Sequence, residues 1–130
     1  MIQRIQSVYL LLAGLASIIT AWKQELENWV REEIYMQVND WSSLAAAAVA
    51  LITIFLYSNR KLQIKLGYLS LLLAIVSVTA LNIEFFVINP GSHELTIFAV
   101  AHFFVVAFII LAISGIKKDE RLIRSLDRLR

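Results

Sequence analysis

Residues 66–88 read LGYLSLLLAIVSVTALNIEFFVI. This run is 23 residues long and holds one charged side chain, Glu84. A helix needs about 20 mostly apolar residues to cross a hydrocarbon core of roughly 30 Å. Helix is the conformation expected, because backbone groups in lipid must be satisfied within the segment. The run predicts a transmembrane span, and its neighbours show how many others accompany it.

Upstream, residues 41–57 and 5–22 are comparably apolar, and downstream so are residues 95–116. Four such spans cannot close a β-barrel. The expectation is therefore all-α: one membrane domain over residues 1–130, folded as an antiparallel bundle of four transmembrane helices. Arg4 followed by an apolar stretch also fits the start of a signal peptide. No small-residue cleavage pattern precedes Trp22 and Lys23, however, and three more spans follow. The chain is 59% hydrophobic with a mean hydropathy of +0.72. Soluble domains run about 45–50% apolar, so the excess calls for a solvent other than water.

Charge sets the orientation. Arg4 precedes the first span, and Arg60, Lys61 and Lys65 lie around the second connection. Lys117, Lys118, Arg121, Arg124, Arg128 and Arg130 follow the fourth span. Ten of the twelve basic residues thus fall on one side; only Lys23 and Arg31 fall on the other, among Glu25, Glu27, Glu32, Glu33, Asp40 and Glu94. Basic loops stay in the cytoplasm. Both termini are predicted on the cytoplasmic side. Trp22 and Trp41 at the outer ends, with Tyr57 and Tyr68 at the inner ends, suit the headgroup level that Trp and Tyr prefer.

Three segments connect or extend the spans. The outer loop Lys23–Asp40 carries Leu26, Val30, Ile34 and Val38 at every fourth residue, a helical stripe. Asn89-Pro90-Gly91-Ser92 predicts a tight turn that makes an antiparallel hairpin of the third and fourth spans. The tail, residues 117–130, places Leu122, Ile123, Leu126 and Leu129 on one stripe with arginines around it, and pairs Glu120 with Arg124 at i,i+4. It is expected to form a basic amphipathic helix on the cytoplasmic side. Arg121, Arg124, Arg128 and Arg130 are its candidate contacts, either with anionic lipid, worth about 1 kcal/mol per charge, or with a membrane-protein partner. Nucleic acid is not expected, since no aromatics interleave the arginines.

Chemistry inside the membrane is left to Asn82, Glu84 and His102. His102 lies about 10 Å below the outer end of its span at 1.5 Å per residue. Asn82 reaches a similar depth on the adjacent helix, so an Asn82–His102 contact is expected, directly or through water. Glu84 lies about 200° around the helix from Asn82 at roughly 100° per residue. It is expected to turn toward another helix, the outer loop or interfacial water. A Glu–His pair can pass a proton, but polar side chains also hold helices together. Small residues mark helix contacts: Ala13, Ser17 and Ala21, then Ser43 and Ala47, Ala46 and Ala50, and Ser70 and Ala74.

Much else is excluded. There is no cysteine, so thiol redox chemistry and thiolate metal sites are absent. No phosphate-binding glycine loop occurs, a haem bundle lacks its histidines, and His93, His102 and Glu94 are too few to argue a metal site. No catalytic residue or cofactor is expected.

Three stretches carry a resemblance: MIQRIQSVYL at residues 1–10, NRKLQIKL at 59–66 and KDERLIRSLDRLR at 118–130. Together they resemble a small uncharacterised family of four-helix inner-membrane proteins of Bacteroidota. The resemblance spans the chain and implies the four-span fold, with no activity or site to carry over. The function expected from the residues is that of a non-enzymatic accessory or scaffold subunit of an inner-membrane assembly. The alternative is a small oligomeric transporter or channel using Glu84 and His102.

Overall fold

A computed structural model describes residues 2–28, 34–88 and 96–127. Apart from the turn at residues 56–59, all of these are helical. The helices are α1 (Ile2–Asn28), α2 (Ile34–Phe55), α3 (Arg60–Ile83) with a π-helical turn at Glu84–Ile88, and α4 (Thr96–Asp127). Three stretches are long and apolar enough to cross a membrane: Gln37–Phe55, Arg60–Ile88 and Val100–Leu126. The apolar part of α1, Ile5–Ala21, is shorter, at 17 residues.

Helix boundaries fall outside the expected spans, and the reason is local. Between Gly14 and Gly67 there is neither glycine nor proline, so no strong helix breaker stands at the expected ends of the first two spans. Residues 23–28, read as outer loop, continue α1, and residues 34–40 already belong to α2. The turn ends at Asn59, whose side chain accepts from the Leu62 amide at 3.2 Å as an N-cap. Arg60, Lys61 and Lys65 fall within the first turns of α3, where the helix dipole disfavours cations. Their position therefore follows from something other than helix stability. The expected turn at Asn89-Pro90-Gly91-Ser92 lies outside the described residues.

The helices bury small and polar residues and turn large apolar ones outward. One central cluster draws on every helix: Ala13, Ala46, Ala74, Val105, Ile109 and Ile113. A second, nearer the termini, holds Leu10, Ala50, Ala112 and Ile116. The small residues expected at contacts are buried on α1, α2 and α3 alike. Leu11, Leu15, Leu72, Ile75, Phe103 and Phe104 face outward. An aqueous protein would reverse this distribution. Small residues inside let backbones approach closely: a Cβ on Gly67 would stand 2.9 Å from Ile113 Cγ1.

The α2–α3 pair has a fixed register. Gln63 Nε2 donates to the Thr53 carbonyl at 3.2 Å, Ser70 Oγ to the Ala46 carbonyl at 3.0 Å, and Ser77 Oγ to Asn39 Oδ1 at 2.6 Å. Each step of seven residues up α3 is matched by a step of seven down α2. The two helices are therefore antiparallel, and a seven-residue repeat keeps one face toward its partner over several turns.

Candidate functional site

Continuing that seven-residue series along α3 leads from Ser77 to Glu84, which is fully buried. Glu84 also opens the π-helical turn, Glu84–Ile88. Such turns are rare and occur frequently at functional sites. The expected alternative of interfacial water is therefore corrected: the carboxylate is enclosed by protein.

One heptad back along α3, side chains from three helices meet. Ser77 Oγ and Ser43 Oγ are 2.6 Å apart, and Ser43 Oγ lies 3.5 Å from His102 Nε2. Asn39 Nδ2 in turn donates to Asp40 Oδ1 at 3.1 Å. Asn39, Ser43, Ser77 and His102 are all buried, and Asp40 is half-buried. Asn39, Ser43, Ser77 and His102 thus each have a polar partner within reach, as burial demands.

Of the three residues singled out from sequence, Glu84 and His102 are buried at this end, whereas Asn82 stands apart. Asn82 is half-buried and donates its Nδ2 to the Val78 carbonyl at 2.7 Å, one turn back on its own helix. The direct Asn82–His102 contact is therefore replaced by one between Ser43 and His102. An amide on a helix can satisfy itself against the preceding turn, which an argument from depth alone does not reveal. From sequence Ser43 reads only as a small packing residue and Asn39 as part of the outer loop, and Ser77 is not singled out. The heptad spacing of Gln63, Ser70, Ser77 and Glu84 is the signal in the sequence that marks this face.

At the opposite end, near the termini, α4 is gripped from two sides. Gln6 Nε2 donates to Asp119 Oδ2 at 2.7 Å, and both residues are buried. Gly115 makes room for this, since a Cβ there would lie 2.8 Å from Gln6 Cγ. The Lys117 ammonium bonds the Tyr68 hydroxyl and lies 4.8 Å from the centroid of its ring. Beyond these clamps α4 continues unbroken, and every residue from 121 to 126 is exposed. These include Leu122, Ile123 and Leu126, the last at 65%. The i,i+4 pair forms as expected, Arg124 to Glu120 at 2.6 Å. Arg121 and Arg124 are exposed; Arg128 and Arg130 lie outside the described residues. Among the described residues no group of three His, Asp or Glu side chains is placed to hold a metal ion.

These features define an all-helical protein of the membrane-spanning class, with polar groups sequestered inside and apolar ones outside. Over residues 2–129 the chain matches a family described as a domain of unknown function, DUF4293, and it belongs to that family. Nothing matches among the curated proteins or the solved structures.

Proposed function

We propose that the protein is a four-span accessory or scaffold subunit of a bacterial inner-membrane assembly, with both termini in the cytoplasm and the end of α4 as its docking element. The observation that carries this reading is the unbroken passage of α4 out of the core. At 1.5 Å per residue, its 32 residues extend about 48 Å, against roughly 30 Å of hydrocarbon. Clamped at Lys117 and Asp119, the helix stands away from the bilayer rather than lying along it.

Lys117, Lys118 and Arg121 lie at the level where anionic headgroups attract basic side chains. Leu122, Ile123 and Leu126 stand one turn further out, beyond lipid, in a basic surround. That composition suits an acidic, amphipathic protein surface. The first span is supported by the 17 apolar residues Ile5–Ala21, at the short end of the range of roughly 17–25 that crosses a bilayer. The inside position of both termini is supported by the basic residues around the 56–59 turn and after the fourth span. The resemblance of the cytoplasmic segments to inner-membrane proteins of Bacteroidota supports the same location.

Purification of the full chain in mild detergent, beside a chain ending after Glu120, tests the reading by mass spectrometry. A stoichiometric companion should accompany the first and be lost from the second. A monodisperse full-length protein with no companion would overturn it.

A second reading, a small oligomeric transporter or channel, is favoured by the buried Glu84 at its π turn. An ionisable group inside a membrane marks a functional hypothesis by default. Proton-coupled flux in liposomes that is abolished by Glu84→Gln would favour it over the first.

A further inference from the structure

At the end near the termini, α3 and α4 present two adjacent outward rows. On α3, Lys61, Lys65, Tyr68 and Leu72 follow one another at steps of three or four residues, and all are exposed. On α4, Ile110, Ser114, Lys117 and Arg121 do the same; Lys117 is half-buried and the others are exposed. The close approach of Gly67 to Ile113 floors the seam between the rows, and the Lys117–Tyr68 contact bridges it. Each row is apolar toward the middle of the membrane and basic toward its surface.

The hydrogens at that bridge have a direction. An ammonium donates and cannot accept, so Tyr68 Oη receives a hydrogen from Lys117 and its own O–H points elsewhere. Two further N–H groups remain on Lys117. Among the described residues these three donors meet no acceptor. The carboxylates that follow Lys117 on α4 are engaged elsewhere, Asp119 by Gln6 and Glu120 by Arg124. Arg60, one heptad before Gly67 on α3, repeats the pattern, for its Nη1 is buried without a partner. Donors gathered without acceptors suit an anion, and charged donors bind phosphate oxygens strongly. At the membrane surface the anion at hand is a lipid phosphate.

We infer that this seam binds one anionic glycerophospholipid of the adjacent leaflet, with its phosphate on Lys117 and Tyr68. Lys65 stands three residues before Tyr68, about 4.5 Å nearer the water, where a head group extends past the phosphate. Lys61, Lys65 and Arg121 around that position repel the ammonium of a zwitterionic head group, which selects an anionic one. Ser114 stands three residues before Lys117, about 4.5 Å deeper, at the level of the ester carbonyls, to which its hydroxyl can donate. Below it, Leu72 and Ile110 give the acyl chains an apolar bed. The inference rests on the membrane crossing proposed above, and on neither a protein companion nor transport.

Native mass spectrometry of the full-length protein in neutral detergent tests it, with phosphatidylglycerol as the probe. One phosphatidylglycerol should stay bound at concentrations where phosphatidylcholine does not. Lys117→Gln should weaken it at least about tenfold, the worth of a charged hydrogen bond, and Tyr68→Phe about fivefold, that of a neutral one. Lys65→Gln leaves the bridge intact and should also weaken binding, which keeps the test open should Lys117→Gln loosen α4. Lys118, turned about 100° further from α3, carries the same charge, and Lys118→Gln should change the affinity less than about twofold. Equal losses from Lys117→Gln and Lys118→Gln would overturn the inference, since diffuse attraction would then account for binding. Equal retention of phosphatidylcholine would also overturn it. So would displacement of the lipid by soluble glycerol phosphate, which would make the seam a site for free phosphate esters. A missing protein companion in the purification above would leave a bound lipid standing, and the reverse holds, so the two proposals fail separately.

Discussion

Ser70 and Ser77 occupy equivalent positions one heptad apart on α3, yet their hydroxyls meet different acceptors. Ser70 donates to the Ala46 carbonyl, and Ser77 to the side chain of Asn39 while also receiving Ser43. Ala46 lies within α2, so its carbonyl keeps a helical donor when Ser70 is removed. Ser70→Ala should cost only about 0.6 kcal/mol, the average for polar contacts in one measured membrane protein. Ser77→Ala takes a donor from Asn39 and an acceptor from Ser43, and should cost about 1–2 kcal/mol. Unfolding in mixed micelles measures both, and the ordering fails if Ser70→Ala proves the more damaging. Gly67 offers a second comparison. Alanine is favoured over glycine in a helix by about 1 kcal/mol, but its Cβ would meet Ile113 Cγ1 at 2.9 Å, an overpacking that costs about 1–3 kcal/mol. Gly67→Ala should therefore destabilise the native protein and do so much less in an Ile113→Ala background. Simple additivity of the two changes would show that the close approach does not set the cost.

At the scale of elements, α4 divides at Asp119. Up to that point it is held by Gln6 of α1 and Tyr68 of α3, and beyond it nothing in the described structure covers it. Truncation after Glu120 should shift stability by less than about 0.5 kcal/mol, the usual effect of changes at exposed positions. Asp119→Ala, which strands the buried Gln6 amide, should cost about 1–3 kcal/mol. Equal effects in thermal unfolding would mean that the clamp is not at Asp119. The sequence made the stripe of Leu122, Ile123 and Leu126 and the Glu120–Arg124 pair plain, because both follow from helical spacing alone. It concealed the continuity of the tail with the fourth span: a change from lipid to water alters composition without requiring a break in the backbone. The same cause hid the continuity of the first connection with its spans: its helical stripe is legible, but α1 runs on to Asn28 and α2 already begins at Ile34. Glu84 and His102 stood out as ionisable groups in apolar runs. Ser43, Ser77 and Asn39 did not, since small polar residues look alike whether they pack or form a chain. Only the register between α2 and α3 tells these apart, and that register is a property of two helices together. The π turn at Glu84 has no signal that we can name in the residues around it.

For the whole molecule, the distribution of residues across its two ends decides its sense in the membrane. The helices that leave the core near Gln6, Arg60 and Asp119 carry the basic segments, and Asp40, Glu84 and His102 lie toward the other end. Arginine and lysine near short loops fix which side stays in the cytoplasm, while acidic residues have little say. An odd number of spans would put the termini on opposite sides, and the basic segments could not then all lie inside. With Ile5–Ala21 as the first span, every basic cluster falls on the same side. A reporter that works only in the cytoplasm should therefore be active when fused after Arg130, and one that works only after export should be active when inserted at Asn28. If the insertion at Asn28 is active only in the cytoplasmic form while the Arg130 fusion remains inside, α1 does not cross and the protein has an even number of spans without it. That outcome would require two crossings where three apolar stretches of membrane-spanning length are present, so the pair of fusions tests the count and the sense together.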